Sequence, residues 1–116
     1  MSTIVYGIPN CGTVKKARTW LEEHGIDYTF HDYKKAGVTA AKLERWSKEA
    51  GWEAVINRQG QTFRKLPDDA KAGLTKTKAI TLMREQPSMI RRPIVEHDGK
   101  LLVGFKEPEW QDAFQG

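Results

Sequence analysis

Residues 3 to 32 change hydrophobic period twice, and that change restricts the fold more than any other feature of the 116-residue chain. Thr3-Ile4-Val5-Tyr6-Gly7 is a β-branched and aromatic run closed by a glycine, the composition of a short strand. From Thr13 to about His24, apolar residues recur at Val14, Ala17 and Leu21 with Trp20 beside them, while Lys15, Glu22 and Glu23 take the other side. That spacing is helical, and Gly25 supplies the left-handed stop. Asp27 to Asp32 then alternates with period two and reads as a second strand. Strand, helix and strand within about 30 residues make a βαβ unit whose two strands run parallel.

The remainder is read by the same rules. Thr39 caps a helix bearing Leu43, Trp46 and Ala50 on one face and stopped by Gly51. Residues 52–66 show a turn at Gln59-Gly60 but no clean period. Thr75 to Gln86 reads as a further helix with Ala79, Ile80, Leu82 and Met83 as its apolar side, ended by Pro87. Pro93 to His97, then Asp98-Gly99, then Lys100 to Phe105 is a β-hairpin, because Asp-Gly between apolar runs fits a tight two-residue turn. A closing helix from about Glu107 to Phe114 places Trp110 and Phe114 inward. The expected order is β-α-β, a helical insert, then β-β-α. This is a single α/β domain over residues 1–116 with a helical insertion at about residues 39–90.

Composition narrows the function classes. With 39% hydrophobic residues, a chain of this length builds a core without disulfides or metal. No apolar stretch approaches the roughly 18 residues of a membrane span, so no membrane partner is expected. The amino terminus has no basic region followed by a long apolar segment, which argues against a secretory signal. A single cysteine forms no internal disulfide and fits a reducing cytoplasm. The net charge of +4 comes from 19 basic residues scattered among 15 acidic ones, without a block of five like charges. That pattern reads as a solvated surface, not as a nucleic-acid footprint. His24, His31 and His97 have no metal-ligand spacing with Cys11, and no metal site is expected.

The residue that carries chemistry is Cys11, in "IPNCGTVKKA". It lies between the first strand and the first helix, where helix amides point outward and the macrodipole is positive. Both favour the reactive thiolate. Lys15 and Lys16 add positive potential, and Gly12 lets a ligand approach the backbone closely. The competing reading is a small hydrophobe beside a turn. Val14 stands where a C-x-x-C dithiol has its second sulfur, so any redox cycle draws its second thiol from outside the chain.

With these features placed, the chain resembles the arsenate reductase family, which also includes the Spx regulators. The resemblance covers "IVYGIPNCGTVKKARTWLEEHGI", "INRQGQTFRKL" and "MIRRPIVEHDGKLLVGF" in order and spacing, and is strongest to the small YffB-like subgroup. It implies a thioredoxin-like mixed sheet with a helical insert. By the resemblance, Cys11 is the nucleophile, Arg58 and Arg92 line an anion site, and Pro93 is the cis-proline of such folds. Arg91 is read as merely solvated. A guanidinium suits the anion role because it stays charged and presents a planar fork.

The chain departs from the family pattern at three places. Gly7 stands where a histidine is expected, Val14 where a serine is expected, and Phe105-Lys106 where a third arginine is expected. Lys106 is a partial substitute for that arginine, as a point charge without bidentate geometry. All three changes weaken oxyanion stabilisation, whereas attack of a thiolate on a disulfide is less affected. The implied activity is a glutathione-dependent thiol oxidoreductase with no bound cofactor. Glutathione or a glutaredoxin-type protein is the thiol donor, and a small oxyanion or a disulfide is the substrate. The alternative is a Spx-like module that binds RNA polymerase.

Overall fold

The computed structural model describes residues 2–115, with only the backbone of Gln115. In chain order the elements are β1 (Thr3–Gly7), α1 (Gly12–Glu23), β2 (Thr29–Asp32), α2 (Tyr33–Ala36), α3 (Ala40–Ala50), α4 (Trp52–Val55) and α5 (Gln61–Arg64). There follow α6 (Asp68–Lys71), α7 (Lys76–Glu85), a 3-10 turn (Pro87–Met89), β3 (Ile94–His97), β4 (Lys100–Val103) and α8 (Glu107–Gln115). Residues up to Ala36 and from Arg92 onward make a sheet unit, and Gly37–Arg91 make a helical unit.

The sheet unit is the expected thioredoxin-like mixed sheet, in the order β2-β1-β3-β4. β1 and β2 are parallel, with Val5 opposite Phe30 and Gly7 opposite Asp32. β3 runs antiparallel to both β1 and β4. The hairpin closes as its sequence requires, since Asp98 (φ 50°) and Gly99 (φ 78°) both take left-handed backbone.

One sheet face buries Val5 and Val95 against Ala17, Trp20 and Leu21 of α1 and Trp110 of α8, with Phe30, Leu102, Phe105 and Phe114 packed around them. Trp110 is wholly buried and meets Trp20 and Phe105 edge-on, at 5.6 and 4.8 Å between ring centroids. Its indole nitrogen donates to the Gly104 carbonyl at 3.1 Å, so its polar atom is satisfied in the core.

In the helical unit, Thr39 and Thr75 cap α3 and α7 through bonds from the Lys42 and Lys78 amides. The buried face of α3 is Leu43, Trp46 and Ser47, spaced i, i+3, i+4; Ala50, placed on that face by sequence, is exposed. The unreadable stretch from residue 52 holds one-turn helices tied to the chain before β3. Ile56 bridges Ile90, the Asn57 amide donates to the Met89 carbonyl at 2.7 Å, and the Arg91 amide donates to the Val55 carbonyl at 2.8 Å.

Gly7 sets how closely the end of β1 approaches α1. A methyl group there would sit 2.9 Å from Val14 Cγ2 and 3.3 Å from Val14 Cγ1, and Val14 is itself wholly buried. Gly7→Ala is therefore expected to destabilise the protein by about 1–3 kcal/mol in urea unfolding, the usual range for overpacking. Adding Val14→Ala in the same chain should recover part of that loss. Strictly additive effects of the two changes would show that they do not share the contact.

Candidate active site

Cys11 sits at the seam between strand and helix. After the Pro9-Asn10 turn its amide donates to the Ile8 carbonyl at 3.2 Å, and its extended backbone (φ −91°, ψ 129°) makes it the residue that precedes the first turn of α1. Its carbonyl accepts the first helical hydrogen bond, from the Lys15 amide at 2.9 Å. The side chain is half-buried, and the amides of Val14 and Thr13 point at the sulfur. Neither contact has the tight geometry of an oxygen cap. That is ordinary for a large, soft sulfur, and the amides act on it mainly through their dipoles.

Arg92 completes the sulfur's surroundings. It lies two residues before β3, joined to Pro93 by a cis peptide bond. Its guanidinium bonds the Cys11 sulfur and also the hydroxyl of Tyr33, which is wholly buried at the start of α2. For the thiol, partial burial pushes the pKa up. The Val14 and Thr13 amides, then the charge and hydrogen bond of Arg92, pull it down further, leaving it below the ordinary thiol value. Tyr33 is pushed far above the usual tyrosine range by burial, which outweighs the opposing pull of Arg92.

Of the residues singled out by sequence, the structure brings Cys11 beside Arg92, which is joined to Pro93 by the cis bond. Gly12 is the exposed first residue of α1, and a side-chain methyl there would meet nothing within 4 Å. The backbone beside the sulfur is open, and no contact within the chain demands a glycine. Lys15 and Lys16 are not the cations that lower the thiol. They are exposed and line a shallow groove with Thr19, Trp20, Glu23, Phe105 and Glu107. Lys106 is likewise exposed, with its ammonium 4.0 Å from the Glu109 carboxylate.

Arg58 belongs to the helical unit, exposed just after the Ile56 bridge, with its guanidinium 5.8 Å from the centre of the Trp52 ring. Arg91, read as solvated, is instead half-buried and donates from Nε to the Ala54 carbonyl at 3.0 Å, which anchors α4 to the chain before β3. Tyr33 was missed. Its only signal in the sequence is its place directly after β2, at the same end of the parallel pair as the cysteine.

Residues 6–113 match the model of the ArsC family. The chain is similar to the solved YFFB protein, at 54% identity over 97% of both chains with a TM-score of 0.91. It is also similar to an arsenate reductase (ArsC) related protein from Brucella melitensis, at 55% identity over 99% of this chain and 96% of that one, with a TM-score of 0.78. The global transcriptional regulator Spx of Lactiplantibacillus plantarum is 30% identical over 91% of this chain and 81% of its own length. A family match that runs from the end of β1 into α8, and so takes in Cys11, Tyr33 and Arg92 together, shows that this chain belongs to the ArsC family.

Proposed function

We propose that the protein is a thiol oxidoreductase in which Cys11 is the nucleophile and an external thiol is the reductant. The observation that carries this reading is the half-exposed Cys11 sulfur, whose charged form the amides of α1 and the guanidinium of Arg92 favour against the opposing effect of burial. Membership of the ArsC family supports it. Cys11 thiolate attacks one sulfur of a glutathione mixed disulfide, forming Cys11–S–S–glutathione and releasing the substrate thiolate. A second glutathione thiolate then attacks that adduct. It leaves as oxidised glutathione, and Cys11 is again a thiolate. The sum of the two steps consumes one external glutathione, frees the substrate thiolate and releases oxidised glutathione that contains the substrate's former glutathionyl group, with no cofactor needed. A glutaredoxin-type protein fills the second step equally well. Arg92 holds the anionic part of the ligand, and the open backbone at Gly12 lets that ligand approach the sulfur. A reducing cytoplasm keeps Cys11 in the starting state.

The pH dependence follows from the direction of the thiol shift. Iodoacetamide alkylation of Cys11 should rise and reach its plateau at lower pH than for a free thiol, whose midpoint is about 8.5. Because the folded state holds the proton less tightly than the unfolded chain, ionisation of Cys11 stabilises the fold. That increment is fully present above the free-thiol value and is lost as pH falls through the folded value. Cys11→Ser should remove this part of the pH profile in urea unfolding. A Cys11 midpoint equal to that of free cysteine would end the reading.

The function itself is tested by mass spectrometry after oxidised glutathione is added. Wild type should carry one glutathione on Cys11, and Cys11→Ser none. Arg92→Ala should form the adduct roughly three- to tenfold more slowly at pH 7, because losing the guanidinium lowers the thiolate fraction. A second reading, regulation through RNA polymerase, is favoured by the similarity to Spx. It predicts recovery of polymerase subunits by a tagged protein, unchanged by Cys11→Ser.

A further inference from the structure

Tyr33 is a buried titratable group that the proposed cycle leaves without a task. It is the first residue of α2 and follows the last residue of β2 directly. The pairing of Gly7 with Asp32 sets the end of β2 beside the end of β1, while Tyr6 pairs with Ile94 at the start of β3. Three separate chain segments therefore deliver Cys11, Tyr33 and Arg92 to one end of the sheet. Asp32 fixes the backbone there: its Oδ1 accepts from the Lys34 amide at 3.1 Å and the Lys35 amide at 3.3 Å, folding the turn in which Tyr33 sits.

We propose, building on the Cys11–Arg92 reading above, that Tyr33 is a positioning residue whose buried hydroxyl accepts a hydrogen bond from Arg92 and holds its guanidinium against the Cys11 sulfur. A guanidinium only donates, so the phenolic oxygen is the acceptor in this pair. The chemistry of the partner matters. A carboxylate in this place would orient Arg92 equally well but would cancel the charge that favours the thiolate. A hydroxyl orients the cation and leaves its full charge for the sulfur. Burial keeps Tyr33 protonated, with the Cys11 thiolate and the Asp32 carboxylate acting in the same direction, so the arrangement holds across the working pH range.

The test is Tyr33→Phe, which removes one oxygen and keeps the ring. The alkylation midpoint of Cys11 should rise by about half a pH unit, a roughly threefold loss of thiolate below it. In an Arg92→Ala background the same change should add nothing, because Tyr33 acts through the guanidinium. An unmoved midpoint in Tyr33→Phe, with a normal rise in Arg92→Ala, overturns this proposal alone. So does an equal shift in the two backgrounds. A midpoint that Arg92→Ala does not move overturns the Cys11–Arg92 reading and this one with it. Hydrogen exchange at the Arg92 guanidinium of wild type, slowed by its two bonds, supplies a readout that does not depend on how well Tyr33→Phe folds; fast exchange there counts against the proposal.

Discussion

A sulfur whose neighbours favour its charged form sits at the first turn of α1, where helix and sheet meet. Partial burial works against that charge, so every neighbour that favours it has to offset desolvation first. The Val14 and Thr13 amides are available because the first turn of a helix has donors with no partner inside it. No acidic side chain occupies that turn to compete for them. Among the described residues, Arg92 supplies the full positive charge that acts on the sulfur, and it arrives from a distant part of the sequence. Local helix geometry and long-range strand pairing are thus both needed to produce one reactive thiol.

The packing behind the sulfur explains why the strand ends can be trusted to stay in place. Val5 and Val95 lie opposite each other on neighbouring strands and share a core with Ala17, Leu21 and Trp20 of α1. Trp110 closes that core from α8 and ties itself to the turn after β4 through Gly104. A shift of β3 along β1 would therefore drag buried aromatic surface with it. Such burial contributes on the order of 25 cal/mol per Å². Register between β1 and β3 also fixes where Arg92 enters, so core packing and the position of the cation are one problem.

The regular elements were legible in sequence because each has a period. Val14, Ala17 and Leu21 announced α1, the alternation through Phe30 announced β2, and Asp98-Gly99 announced the hairpin. The one-turn helices α4, α5 and α6 were not legible, since four residues contain no repeat to detect. The site was half legible. Cys11 stands out by its place before a helix, but Lys15 and Lys16, the cations nearest to it in sequence, line a groove instead of acting on the sulfur. Tyr33 is invisible to pattern reading, because a tyrosine after a strand looks like any other core aromatic. Only the parallel pairing of β1 and β2 shows that residues 22 positions apart share one end of the sheet. Arg91 and Arg92 are adjacent in sequence yet do different work. Arg91 anchors a carbonyl of α4, and Arg92 faces the sulfur.

The two apolar departures from the family pattern turn out to be one feature. Val14 directs its amide at the sulfur while its side chain fills the space that Gly7 leaves open. An imidazole at position 7 would have to displace Val14, so that polar group does not return by a single substitution. The donors near Cys11 are consequently backbone amides and one guanidinium, with a buried phenol behind it. A tetrahedral oxyanion spreads its charge over several oxygens and gains from many convergent hydrogen-bond donors. Thiol–disulfide exchange spreads charge along three soft sulfurs and depends chiefly on the thiolate fraction and on access. The donor set of this chain matches the second requirement more closely than the first. That match comes from the Gly7–Val14 contact acting together with the charge on Arg92.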